Sequence, residues 1–333
     1  MMATSETHQA SPPSVGPFPN LFAFQGVAEA VSAAYKSRLL HALLEGDTAA
    51  GDCAERLGLD HEATRLVLDV LTEFGFVKRN RDRYTASAVL TEAEARFGID
   101  MAFAFWDRAQ GFLLRGERPG RMDASADERQ ASYSDVVMSL GKAYTEGARE
   151  LAGRLGGSPR RILDVGAGSG VWSLAIAKDY PEARITALDF PNVLKTFEKF
   201  ATELGLADRI ATLAGDAHEV QIPASEFDRI IVANVLHLET SEAAAALISR
   251  LAGALIAGGE FVVVDSAPGQ TRRSKRAFAL YLLNRSLRTG GGRPHPPARL
   301  KRWLRQAGLE LEREIQLTNP PHLRAIAASK PKH

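Results

Sequence analysis

The chain has 333 residues, of which 45% are hydrophobic and 24% charged, and a formal net charge of +1 at pH 7. That length suits two domains better than one core, and the balanced charge excludes a global field able to hold a polyanion. A run of about 20 apolar residues, as a membrane span needs, is missing, and the one cysteine, Cys53, excludes an internal disulfide framework and fits a reducing, cytoplasmic setting.

Residues 1–19, MMATSETHQASPPSVGPFP, have the Ser/Pro-rich bias of a disordered tail and lack the apolar stretch of a signal peptide. Residues 20–99 then read as a winged-helix-like domain. FAFQGVAEAVSAAYKSRLLHALLEG has helical spacing up to Gly46. DTAAGDCAERLG and LDHEATRLVLDVLTEFG make two helices about a turn near Gly58, with Asp60 as N-cap. FVKRNRDRYTAS is a hairpin with a polar tip at Asn80-Arg81-Asp82. The commonest use of this layout is reading DNA, and its charge argues against that use here. The second helix carries Asp60, Glu62, Asp69 and Glu73 against Arg65 alone, and would be repelled by phosphate. Leu66, Val67, Val70 and Leu71 point instead to packing, in a protein–protein or dimerisation role.

Residues 100–157 read as connecting helices, MAFAFWDRAQGFLL and SYSDVVMSLGKAYTEGARELAGRL, separated by the polar loop RGERPGRMDASADERQ. Phe103, Phe105, Trp106, Phe112 and Met138 fit either the lining of an aromatic-ligand pocket or ordinary core. From residue 158 to 333 strands and helices alternate. RILDV, RITALD, IATLAGD, FDRIIVANV and GEFVVVD are strands, with helices at about 171–179, 191–204 and 241–256. The alternation predicts an α/β, Rossmann-like doubly wound parallel sheet with right-handed crossovers. Ligands then belong at the carboxyl ends of the strands.

The first strand runs into Asp164-Val165-Gly166-Ala167-Gly168-Ser169-Gly170. Glycines there allow positive φ and a close approach of backbone to ligand. A phosphate-binding P-loop is excluded because no Gly-Lys-Ser/Thr follows. A dinucleotide turn needs its third glycine one residue later, and it has no place for an acid two positions before its first glycine, where Asp164 stands. The second strand ends in Asp189, placed to accept hydrogen bonds from ribose hydroxyls. The third ends in Gly215-Asp216-Ala217, where a carboxylate can take an adenine amino group. Either aspartate alone would serve as a helix N-cap, but two at consecutive strand tips favour one shared ligand.

With these residues the chain resembles the class I S-adenosylmethionine-dependent methyltransferases, and more closely the small-molecule O-methyltransferase family with an N-terminal winged-helix dimerisation domain. The resemblance covers nearly all of the chain after residue 20 and rests on LDVGAGSG, ALDFPNV, AGDAHE, NVLHLE and the FVVVD strand. It implies S-adenosylmethionine as cofactor, a small-molecule acceptor and a homodimer. It implies that Asp164 is a cofactor-binding residue, that Gly166 and Gly168 pass under the methionine part, that Asp189 binds ribose with Phe190 beside adenine, that Asp216 and Ala217 hold the adenine edge, and that Ala233 and Asn234 line the cofactor. A phenol is mostly neutral at pH 7, so a base is needed, and His237 stands where the family motif has its catalytic histidine. Asp265 matches the acidic residue that orients it. Asn284 joins Phe105, Trp106 and Met138 as a candidate residue of the acceptor pocket.

The chain also departs from the family pattern. The usual His-Asp-Trp reads His237-Leu238-Glu239, and Pro294 stands where a second acid is expected, beside His295. These departures leave C- or N-methylation and a non-methylating family member open. A winged-helix regulator sensing the cofactor and, on the glycine spacing, a nicotinamide enzyme are the rivals from other classes. His218-Glu219 lacks the second histidine of a zinc helix, so no metal is expected. Arg272, Arg273, Lys275 and Arg276 read as an exposed basic turn and not as a nucleic-acid site.

Overall fold

The computed structural model describes residues 18–97, 106–116, 126–288 and 293–332, with the backbone alone at 18–23, 96–97, 107, 126–136, 138–139 and 288. The chain divides into two units, residues 1–95 and 96–333.

The first unit contains α1 (Phe18–Lys36), α2 (Leu39–Glu45), β1 (Thr48–Ala49), α3 (Ala50–Leu57), α4 (His61–Glu73), β2 (Val77–Asn80) and β3 (Arg83–Ala86), and α5 (Ala88–Phe97) follows. The continuous helix anticipated up to Gly46 is broken before Leu39, because Arg38 takes a left-handed conformation at φ 66°. Gly58, at φ 65°, ends α3, and the Asp60 side chain accepts the Ala63 N–H at 2.8 Å to start α4. The strands form a small antiparallel sheet in the order β1-β3-β2. Leu68 and Leu71 of α4 are fully buried, whereas Leu66, expected to pack, is 50% exposed. Arg65, the cation of that helix, is paired with Asp69 at 3.0 Å.

The second unit opens, among its described residues, with the 3-10 turn Trp106–Arg108, α6 (Ala109–Arg115) and α7 (Ala126–Leu155). Residues 126–130, assigned to a loop by their polarity, are the first turn of α7. There follow β4 (Arg161–Val165), α8 (Val171–Asp179), β5 (Arg184–Asp189), α9 (Pro191–Glu203), β6 (Ile210–Ala214), β7 (Phe227–Ala233), α10 (Ser241–Ala254) and β8 (Leu255–Ser266). The helix anticipated over 241–256 stops at Ala254, where β8 begins. α11 (Arg272–Arg288), α12 (Pro297–Gln306), β9 (Glu310–Gln316) and β10 (Leu323–Ser329) complete the unit.

The seven strands are ordered β6-β5-β4-β7-β8-β10-β9. The first five are mutually parallel, and β10 and β9 add an antiparallel edge that the sequence reading does not contain. Alternation along each central strand feeds two apolar layers. Ile162, Ile231 and Val262 join Leu151, Trp172 and Phe197 on one face. Leu163, Ile230 and Val263 join Leu247, Leu251 and Trp303 on the other. Each such side chain, fully buried, contributes about 1.5–3 kcal/mol, so the sheet is a rigid base for the loops at its carboxyl end. Strand order reverses between β4 and β7, which puts the crevice of a doubly wound sheet beside the glycine turn.

Candidate active site

The turn after β4 is shaped by three glycines with positive φ, Gly166 at 64°, Gly168 at 57° and Gly170 at 72°. A Cβ on Gly166 would lie 2.3 Å from Cγ2 of Val235, and one on Gly170 would lie 2.4 Å from Cδ2 of Phe197. The turn is locked to the end of β5. Gly166 and Ala167 donate their N–H groups to the Leu188 carbonyl at 2.8 and 3.2 Å. The Asp189 carboxylate accepts the N–H of Gly168 at 2.9 Å and of Phe190 at 2.7 Å.

Two cavities flank this turn and share Gly166. One, about 640 Å³ and partly open to solvent, is lined by Asp189, Phe190, Gly215, Asp216, Ala217 and neighbouring residues, among them His218 and Glu239, which face each other at 3.5 Å. The other, about 410 Å³, is lined by Gly168, Ala233 and Asn234 and, from α7, by Gly141 and Tyr144. Asn234 sits at φ 58°, and its buried Oδ1 has no hydrogen-bond partner among the described residues. Asp164 lines neither cavity. It is 1% exposed, and the Ser173 hydroxyl donates to its carboxyl at 2.5 Å, tying β4 to α8.

Beyond β7 the chain makes a 3-10 turn, Leu236–Leu238, pinned by buried Leu236 in the layer beneath. His237 is 6% exposed on this turn, and Asp265, at the end of adjacent β8, is 3% exposed. Their rings and carboxylate meet at 2.7 Å, Nδ1 to Oδ1. The carboxylate also accepts the backbone N–H of His237 at 3.1 Å and of Ser266 at 2.7 Å. A carboxylate only accepts, so Nδ1 carries the hydrogen and Nε2 keeps its lone pair, with the Tyr281 hydroxyl 3.4 Å away, the form of a general base. The turn is held from two further sides. Arg285 of α11 donates to the His237 carbonyl at 3.1 Å, and the His295 Nε2 lies 2.9 Å from the Leu236 carbonyl. His295, set edge-on to Trp303, is a buried loop residue, and burial holds its pKa below the ordinary histidine value.

Residues 147–310 match the O-methyltransferase domain family. Over these residues the chain belongs to this methyltransferase family. It is 24% identical over 317 residues to 3-hydroxy-5-methyl-1-naphthoate 3-O-methyltransferase of Streptomyces sahachiroi, covering 91% of each chain. It is 27% identical over 292 residues to the tetracenomycin polyketide synthesis 8-O-methyl transferase of Streptomyces glaucescens, covering 82% of this chain and 85% of that one. Its fold matches that of human N-acetylserotonin methyltransferase in complex with SAM, at a TM-score of 0.72 and 19% identity, covering 97% of this chain and 100% of the other.

The methyltransferase's site has the polarity that S-adenosylmethionine requires. The Asp189 carboxylate stands at the tip of β5, an unpartnered acceptor is buried at Asn234, and glycine backbone forms the floor between. Burial raises the pKa of Asp189 to about 6, against the hydrogen bonds from Gly168 and Phe190, and that of Asp164 to about 7 against the Ser173 hydroxyl. Among the described residues no cluster of His, Cys, Asp or Glu forms a metal site, and no helix is long and apolar enough to cross a membrane.

Several residues of the methyltransferase site escaped the sequence. Gly141 of α7 is one: a Cβ there would meet the Ser169 hydroxyl at 2.3 Å, so glycine lets the helix settle on the turn. Its signal was an isolated glycine inside a helical pattern. Tyr144, Tyr281 and Arg285 gave no such signal. Of the acceptor-pocket candidates, Trp106 is 39% exposed on the 3-10 turn that touches α11, and Asn284 is half-buried on α11. Phe105 lies outside the described residues, as does Phe103, and Met138 is described by backbone alone.

Proposed function

We propose that the enzyme transfers a methyl group from S-adenosylmethionine to a hydroxyl of a small, aromatic or polyketide-like metabolite, with His237 taking the hydroxyl proton. The observation that carries this reading is the buried His237–Asp265 pair, on a turn whose preceding residues Asn234 and Val235 line the two cavities. The named relatives act on a hydroxynaphthoate and in tetracenomycin polyketide synthesis, which supports the acceptor class. When bound, S-adenosylmethionine supplies a methyl group already activated on a sulfonium sulfur. The protein's own work is then alignment and proton removal.

In this reading Asp189 takes the ribose hydroxyls, Phe190 lies beside adenine, and Asp216 and Ala217 face the adenine edge. Gly166, Gly168 and Ala233 hold the methionine end, and Asn234 offers its buried Oδ1 to the ammonium. Nε2 of His237 accepts the acceptor's proton, and Asp265 fixes the tautomer and balances the imidazolium charge. Trp106 and Asn284 border the acceptor. The N-terminal unit, with its acid-edged α4 and the exposed Leu66, serves in homodimer formation. Sedimentation at micromolar concentration should give twice the chain mass, and a monomer would remove that assignment.

His237→Ala tests the base. Binding of S-adenosylhomocysteine should persist, while transfer to a hydroxyl falls by about 10²–10⁴-fold. Unchanged turnover would take His237 out of the mechanism.

A further inference from the structure

Nε2 of His237, the atom that must receive the proton, already has a neighbour. The Tyr281 hydroxyl on α11 lies 3.4 Å from it, with the two rings edge-on at 6.3 Å between centroids. That contact is at the long limit for a hydrogen bond and correspondingly weak, so an incoming hydroxyl displaces it at little cost. The tyrosine ring is itself held. It stacks on His322 at 4.7 Å and 21°, and the His322 carbonyl accepts the Ala267 N–H at 2.9 Å, one residue beyond the strand end that carries Asp265. Burial lowers the pKa of His322 to about 4, so the ring under Tyr281 is neutral at physiological pH and brings no charge to the phenol.

We propose that Tyr281 is a further catalytic residue, whose hydroxyl donates a hydrogen bond to the acceptor oxygen while His237 removes that oxygen's proton. The inference rests on the hydroxyl-methylation reading above. Two atoms 3.4 Å apart leave a ring of positions about 2.8 Å from both, the ordinary length of such hydrogen bonds. An oxygen seated there meets a base and a donor together. As the O–H bond breaks its proton passes to Nε2. The oxygen forms its bond to the methyl carbon, and the carbon–sulfur bond breaks with its electron pair left on sulfur. Tyr281 keeps its own proton throughout and steadies the negative charge that builds on oxygen before the new bond is complete.

The test is methyl transfer by the full chain and by Tyr281→Phe to a panel of phenols and naphthols of graded acidity, beside calorimetric titration with S-adenosylhomocysteine. The expected result is unchanged cofactor-product affinity and a loss of about 10²-fold, the low end for an oxyanion donor, with the least acidic acceptors. The loss should shrink steadily as the acceptors become more acidic, since they need less help as anions. Unchanged rates, or a loss equal across the panel, would overturn the proposal and leave the hydroxyl reading standing. A wild-type chain that binds S-adenosylhomocysteine and methylates no member of the panel would remove both. If Tyr281→Phe fails to fold, 3-fluorotyrosine at position 281 decides: its more acidic phenol should move the alkaline limb of the pH–rate profile to lower pH, and an unmoved limb overturns the role.

Discussion

Replacing Asp265 by asparagine separates the two duties assigned to that carboxylate. Oδ1 accepts from His237 Nδ1 and from the Ser266 N–H, each at 2.7 Å, while Oδ2 accepts the His237 N–H at 3.1 Å. An asparagine satisfies the first two with its carbonyl and turns its amide toward the weaker third. The histidine therefore keeps its tautomer, and one backbone N–H is left facing a donor. In a site 3% exposed that costs about 1–3 kcal/mol of stability. The larger change is the lost charge. A full charge pair about 4 Å apart at an effective dielectric of 20 is worth about 4 kcal/mol, and each 1.36 kcal/mol is tenfold in rate. As the imidazolium is only partly formed in the transition state, Asp265→Asn should slow transfer by about 10²–10³-fold. Initial rates of methyl transfer, thermal unfolding and titration with S-adenosylhomocysteine read the three effects separately. A variant turning over at the wild-type rate would refute the charge argument. A rate loss matched by an equal loss of S-adenosylhomocysteine affinity would refute it too, because the site would then have collapsed as a whole.

The glycines of the turn should differ by purpose. Gly170→Ala puts a Cβ 2.4 Å from the Phe197 ring at φ 72°, so left-handed strain of about 1–2 kcal/mol adds to overpacking of about 1–3 kcal/mol. Gly168→Ala meets Val137 at an ordinary 3.6 Å and carries the strain alone, yet it intrudes on the cavity wall. Thermal unfolding should show the first as the less stable, and S-adenosylhomocysteine titration should show the second losing tenfold or more in affinity while still folded; similar behaviour of the two would contradict the assignment. For Asp189 and Asp164 the folded pKa values, about 6 and 7, lie above the unfolded value of 3.8. The stability they contribute is present below pH 4 and is lost as pH rises through 6–7. Asp164→Asn should flatten the fall in melting temperature over that window, and an unchanged slope would assign the fall elsewhere. Ribose hydroxyls donate to the charged form of Asp189, so S-adenosylhomocysteine affinity should rise as pH passes about 6, and Asp189→Asn should remove the rise.

What the sequence made legible is what local rules control. The glycine turn, Asp189 and Asp216 follow from period-two runs that stop at strand tips, and the structure brings all three around shared cavities. The meeting of His237 and Asp265 needed one non-local fact, the adjacency of β7 and β8, which the topology of parallel sheets supplies. The antiparallel edge was not legible, because β9 reads as ELEREIQ, a charged strand suited to a sheet edge, and β10 is rich in alanine, a weak strand former. The helix break at Arg38 has no sequence marker, since a non-glycine residue takes the left-handed turn there. Tyr281 and Arg285 lie on a helix whose inward face is decided by packing and not by spacing. Asp164 looked like a ligand because of its place before the glycines, whereas its carboxyl is turned to Ser173.

The measurement that bears most directly on the account is calorimetric titration of the full chain with S-adenosylhomocysteine, repeated with Asp189→Ala. The demethylated product fills the donor's site without requiring the acceptor to be known. Saturable binding of one molecule per chain, weakened by the substitution, is the predicted result. A folded chain that takes up none would contradict the methyltransferase account at its base.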